Sequence, residues 1–195
     1  MKTKVLFIAA AILVLVVGTA AIASNMGFKI SIPLTAGYSN YVSLPYYNSY
    51  TTDNSMYSDI PSATGVSRWN NAGGVWQNYL GGRTSLFNIT GGEAYVVTVG
   101  ASGNWIVVGS HNPGLGVTLT AGYSNYVSVP YHTTATTDNT LYSQITGCTG
   151  VSRWNNAGGV WQNYLGGRTS LFNITAGEGY VITVSGTTAW TPAHY

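Results

Sequence analysis

Residues 66–90, VSRWNNAGGVWQNYLGGRTSLFNIT, return letter for letter as residues 151–175. A chain that repeats 25 residues unchanged is built from two copies of one unit. Residues 34–99 align with 119–184 at an offset of 85, without a gap, and 52 of the 66 positions are the same. Looser similarity extends both ways. Ile30, Ile32 and Leu34 alternate with other residues as Leu115, Val117 and Leu119 do. Trp105 and His111 face Trp190 and His194 with a two-residue slip at the histidine. The seam is His111-Asn112-Pro113-Gly114, where Pro and Gly punctuate the chain. The units are therefore 24–112 and 113–195. A duplication of this kind requires only that the unit fold and stack, so the identity does not in itself mark a site.

Residues 1–23 stand outside the repeat. Met1-Lys2-Thr3-Lys4 is basic, 5–17 is apolar, and Ala21 and Ala23 end the stretch with small residues. That order is expected of a secretory signal peptide cleaved after Ala23, with an uncleaved membrane anchor as the alternative. The remaining 172 residues would be found outside the cytoplasm, secreted or at the cell surface. They hold Lys29, Arg68, Arg83, Arg153 and Arg168 against Asp53, Asp59, Glu93, Asp138 and Glu178, five charges of each sign and a net of zero. Nucleic acid is excluded as a partner, because binding it needs a basic footprint. A neutral surface instead favours self-association. Cys148, the sole cysteine, matches Ala63 in the first unit and is expected as a small buried residue.

The local signals are almost all β. Asn40, Val42 and Leu44 alternate with Tyr41 and Ser43 up to Pro45. Residues 66–70 and 75–80 flank Asn71-Ala72-Gly73-Gly74 as a hairpin. A four-residue loop sets Trp69 opposite Trp76 and Arg68 diagonal to Tyr79, within reach of a cation–π contact. Residues 92–99 form the clearest strand, and Trp105-Ile106-Val107-Val108 closes the unit. One helix is expected per unit, over 52–60, with Thr52 or Asp53 as cap and Met56 and Ile60 one turn apart; Leu141 and Ile145 repeat the pair. The expected fold is all-β: two tandem antiparallel β-sandwich or small-barrel units of about six short strands, each with one short helix.

Gly37-Tyr38-Ser39-Asn40-Tyr41-Val42-Ser43-Leu44-Pro45, then Trp69, then Gly92-Glu93-Ala94-Tyr95-Val96, resembles the repeat of bacterial secreted and cell-surface tandem β-proteins. Their motif runs G-[WY]-x-N-x-[VI]-S-[LV]-P and ends in G-[EK]-[GA]-Y-x-[VI]. The second unit carries it at 122–130 and 177–181. The resemblance implies an exported, modular β-protein. It attaches no catalytic activity and names no ligand.

No catalytic set emerges from the residues. His111, His132 and His194 lack a Gly-x-Ser-x-Gly elbow, and His132 is Tyr47 in the other unit. Asp53 with Glu93, and Asp138 with Glu178, would serve a glycosidase only if each pair met in one cleft. The simpler expectation is that Asp53 caps the helix and Glu93 pairs with Arg68 or Arg83. No metal-ligand spacing and no cofactor motif is present. Asn88-Ile89-Thr90 and Asn173-Ile174-Thr175 are sequons, relevant in a host that modifies them. Trp69, Trp76, Tyr79, Trp154, Trp161 and Tyr164 are candidate sugar-stacking platforms, set against a role in core packing. An outer-membrane barrel closed by Tyr195 is disfavoured by short strands broken with Pro and Gly.

These readings point first to an exported, non-catalytic module of the cell surface or extracellular matrix, structural or adhesive. Its partner would be itself, head to tail through copies of its internal interface, or an extracellular polymer. The alternative is a carbohydrate-binding module.

Overall fold

A computed structural model describes residues 27–70, 73–82, 84–112, 114–156, 158–167 and 169–194. The leader reading for 1–23, the turn residues Asn71 and Ala72, Arg83, Arg168, Pro113 and Tyr195 lie outside the described residues.

Among the described residues, twelve strands and two helices follow the duplication. The first unit contains β1 (Phe28–Leu34), β2 (Asn40–Ser43), α1 (Asp53–Asp59), β3 (Ala63–Asn70), β4 (Val75–Tyr79), β5 (Ala94–Val99) and β6 (Gly103–Gly109). The second repeats the order as β7 (Val117–Leu119), β8 (Asn125–Val127), α2 (Asp138–Gln144), β9 (Cys148–Asn155), β10 (Val160–Tyr164), β11 (Tyr180–Val184) and β12 (Thr188–Trp190). All pairings are antiparallel. In unit one a four-stranded sheet, β2-β5-β3-β4, faces a two-stranded ribbon, β1-β6; in unit two β8-β11-β9-β10 faces β7-β12. Each unit is thus an open sandwich of four strands over two. The barrel alternative fails because neither sheet closes on itself.

Alternation builds the core. Ile32 and Leu34 of β1 and Trp105 and Val107 of β6 point inward from the ribbon. They meet Val42, Val66, Val97 and Val99 of the sheet, and Met56 of α1 and Ile60 at its C-cap join the same core. The second core uses Leu119, Val127, Val151, Ile182, Leu141 and Ile145 in the same way. Each such side chain contributes roughly 1.5–3 kcal/mol when withdrawn from water. Cys148 is buried in the second core, as expected of a small apolar residue.

The hairpin forms in the expected register. Trp69 opposes Trp76, their rings edge to face at 5.5 Å. The cation–π expectation is corrected: Arg68 sits over Phe87, 5.5 Å from the ring centroid, and not over Tyr79. Arg68 lies opposite Gln77, whose Oε1 accepts from Nε at 2.8 Å, and this turns the guanidinium toward the loop carrying Phe87. The helix cap is Thr52, whose side chain accepts from Ser55 N. Asp53 is the first helical residue and is fully buried.

Candidate functional site: two equivalent clefts between the units

Both units use one patch to hold each other. Ser43 N donates to Gly177 O at 2.8 Å, and Ser128 N donates to Gly92 O at 2.8 Å. Positions 43 and 128, and 92 and 177, each differ by the repeat offset of 85. The contact is reciprocal, as across a two-fold axis. Aromatic rings follow the same rule. Tyr126 lies 5.1 Å from Trp76 and 6.4 Å from Trp69 of the other unit, and Tyr41 lies 4.9 Å from Trp161 and 6.2 Å from Trp154. Tyr41 and Tyr126 stack on one another at the centre, 6.2 Å apart. Farther out, Tyr46 meets Tyr131 at 5.5 Å and His111 meets His194 at 5.3 Å.

Gly92 and Gly177 make this approach possible. Both have left-handed backbones, φ +87° and +91°, and both lie against the ribbon of the other unit. A Cβ at Gly92 would stand 2.4 Å from Val117 Cγ1, and one at Gly177 would stand 3.0 Å from Ile30 Cδ1. A side chain at either position would crowd the other unit's ribbon and strain a left-handed backbone.

Docking leaves two clefts, one on each side of the axis. The first, about 360 Å³, is walled by Arg68, Trp69, Asn70 and Glu93 of unit one and by Val117, Asn125 and Tyr126 of unit two. The second, about 520 Å³, is walled by the counterparts Arg153, Trp154, Asn155 and Glu178 with Ile32, Asn40 and Tyr41. Both volumes fall in the range of small-molecule sites.

Their chemistry is also duplicated. Arg68 Nη1 lies 3.5 Å from Glu93 Oε2, and Arg153 Nη1 lies 3.5 Å from Glu178 Oε2. Tyr95 and Tyr180 donate their hydroxyls to these carboxylates at 3.3 and 2.9 Å. Burial raises the Glu93 pKa above the ordinary glutamate value, against the opposing pull of Arg68 and the Tyr95 hydrogen bond. Burial likewise pushes Tyr126 up to about 12, helped by Tyr41. Tyr126 is therefore a neutral phenol at physiological pH. Asn40, buried at the cleft floor, donates to Thr35 O, Tyr38 O and Val97 O and accepts from Asn156 Nδ2 at 3.1 Å. Among the described residues, Trp69 Nε1 and Trp154 Nε1 are buried donors with no partner, and so is the acceptor Asn156 Oδ1. Each unmet group of this sort costs about 1–3 kcal/mol.

The platform residues divide three ways. Trp69 and Trp154 stand in the cleft walls. Trp76 and Trp161 flank them, 37% and 38% exposed, each with a ring against the other unit's tyrosine. Tyr79 and Tyr164 are corrected: they lie in the unit cores, 2% and 3% exposed, with hydroxyls bonded to Asn54 and Asn139, and present no open ring face. Tyr41, Tyr126, Asn40 and Asn125 are cleft residues that sequence reasoning passed over. The signal was present in Tyr41, an aromatic on the strand face opposite Val42.

The expected ion pair of Glu93 with Arg68 forms. Asp53 does not share the cleft with Glu93; it is enclosed by Ser85, Leu86 and Phe87, so the carboxylate pair considered for glycoside hydrolysis is not brought together. All three histidines line a small cavity of about 10 Å³ at the seam, beside Tyr46 and Tyr131. Among the described residues no three of His, Cys, Asp and Glu are grouped to hold a metal ion, and no helix is long and apolar enough to cross a membrane. Comparison with protein-family models, with curated proteins and with solved structures returns no match.

Proposed function

We propose that the chain is an exported, non-catalytic adhesion module of the cell surface or extracellular matrix, and that it grips a hydroxyl-rich glycan in its two inter-unit clefts. The observation that carries this reading is the pair of equivalent clefts. Each combines aromatic rings with side chains able to donate and accept hydrogen bonds, the mixture that suits the apolar faces and hydroxyl edges of a sugar. The ion pair inside each cleft leaves it without net charge, which favours a neutral ligand over a phosphate or a polycation. Two sites on one chain also suit a polymeric ligand, since tethering two weak contacts raises avidity without any new interaction. Export rests on the 1–23 leader pattern and on the resemblance to secreted repeat proteins.

The test is a glycan array followed by calorimetry with the best oligosaccharide. Two equivalents should bind per chain. Trp69→Ala should remove one equivalent and Trp69→Ala with Trp154→Ala both, with the circular dichroism spectrum unchanged. A folded wild-type protein that binds no glycan on a broad array overturns the reading.

A further inference from the structure

The two clefts occupy the inner side of each unit; the outer sheet edges have a separate chemistry. Each four-stranded sheet has one sealed edge and one open edge. The sealed edges are β2 and β8, where Ser43 N, Tyr41 O and Ser128 N bond to backbone of the opposite unit. The open edges are β4 and β10. Among the described residues, β4 is paired with β3 and β10 with β9, and nothing lies hydrogen-bonded along their outer sides at residues 75–78 and 160–163.

Natural proteins blunt an open edge with lysine, proline, a bulge or a covering loop, because its unpaired N–H and C=O groups template another strand. Among the described residues neither edge is blunted. Both read Val-Trp-Gln-Asn-Tyr-Leu, with no charge and no proline. Both register evenly with their partner strands, Val75 with Asn70 through Tyr79 with Val66, without a bulge. Both also expose apolar side chains beside the edge: Val75 52% and Leu80 64%, Val160 52% and Leu165 70%. Such a segment has the composition of strands that add to one another.

We propose that β4 and β10 are assembly edges whose occupant is the same edge on a second copy of this chain. Three features select that occupant. An uncharged strand pairs antiparallel with itself with no like charge brought opposite like charge. The edges are identical in sequence, so either edge of one copy fits either edge of another. The inner edges β2 and β8 already take backbone hydrogen bonds from the like unit, at residues 177–179 and Gly92, so sheet edges of this unit do accept backbone from a copy of it. With two open edges each molecule is bivalent, and bivalent edge pairing produces linear polymers instead of closed dimers. The zero net charge of 24–195 leaves no long-range repulsion to halt growth.

Light scattering and negative-stain microscopy on the purified full chain test this by stoichiometry. Wild-type protein should grow in mass with concentration and show filaments. Val160→Lys blocks one edge, so assembly should stop at a dimer. Val75→Lys with Val160→Lys blocks both and should give a monomer. Circular dichroism verifies folding, and Leu80→Lys with Leu165→Lys replaces the pair should the valine variants unfold. Wild-type protein that is monomeric up to about 1 mM overturns the proposal. Polymers that persist in the folded double variant, or filaments in which microscopy shows a different protein between copies, overturn it too. Glycan binding at the clefts should be the same in every variant, so failure here and failure of the adhesion reading are told apart.

Discussion

Ser62 is the one non-glycine among the described residues with a left-handed backbone, at φ +57°. It follows α1 and turns the chain into β3; its carbonyl accepts from Gly100 N at 2.8 Å. The second unit makes the same turn with Gly147, φ +71°, whose carbonyl accepts from Ser185 N at 2.8 Å. A Cβ in this region costs about 1–2 kcal/mol, offset in part by the greater freedom glycine loses on folding. Ser62→Gly should therefore stabilise the chain by about 0.5–1 kcal/mol, and Gly147→Ser should destabilise it by a similar amount. Thermal denaturation of the two variants reads both signs. A lower melting temperature for Ser62→Gly would show that the serine is held by more than its backbone.

At the scale of elements, each helix is joined to a distant loop by one buried carboxylate. Asp53 accepts from Leu86 N at 2.7 Å, from Phe87 N at 3.1 Å and from the Ser85 hydroxyl. Asp138 does the same with Leu171, Phe172 and Ser170. These bonds satisfy backbone donors that have no ladder of their own, and they set the loop on which Phe87 meets Arg68 beside the cleft. Asp53→Ala would leave buried N–H groups unpaired, a loss of about 3 kcal/mol. Asp53→Asn keeps one accepting oxygen and should lose less. Urea unfolding distinguishes them; equal losses would mean that charge, not hydrogen bonding, holds the loop. The helices themselves are short, so their place depends on these bonds and on Met56 and Leu141, both fully buried.

At the scale of the molecule, the reciprocal interface changes the argument for assembly. Head-to-tail growth through the internal contact requires a heterologous interface, with one side left free on each unit. Here each unit offers the same patch, and each patch is covered by the other. Nor is 29–34 a spare strand, since β1 is paired along its length with β6. The axis also explains one of the 14 differences between the aligned units. Ala94 corresponds to Gly179, and the two face each other: a Cβ at Gly179 would stand 2.8 Å from Ala94 Cβ and 3.2 Å from Val42 O. One methyl group fits at the axis and two do not. Gly179→Ala should therefore loosen the pairing of the units and lower the melting temperature, while Ala94→Gly should be tolerated. The same logic predicts that isolated unit two, with glycine at this position, dimerises about its former interface and that isolated unit one, with alanine, does so more weakly. Analytical ultracentrifugation of the two halves checks the order; tighter association of unit one would remove the steric account.

The sequence by itself determined the unit. Alternation at Ile30, Ile32 and Leu34 and the Asn-Ala-Gly-Gly turn are local signals, and they placed the strands, the Trp69–Trp76 register and the helix with its Met56 and Ile60 face. The Arg68–Glu93 pair was legible for a similar reason, since Glu93 immediately precedes β5, the strand that pairs with Arg68's strand β3. The tertiary structure alone decided how the units meet, and with that the clefts. Tyr41 was visible as an aromatic on the outer face of a strand, but only the other unit's Trp154 and Trp161 turn that face into a wall. Tyr79 looked equally available from its place beside Trp76, yet strand alternation turns it into the core. Periodicity fixes which side of a strand a residue occupies. Which side is solvent, which is core and which is the other unit depends on packing across distances that no local pattern encodes.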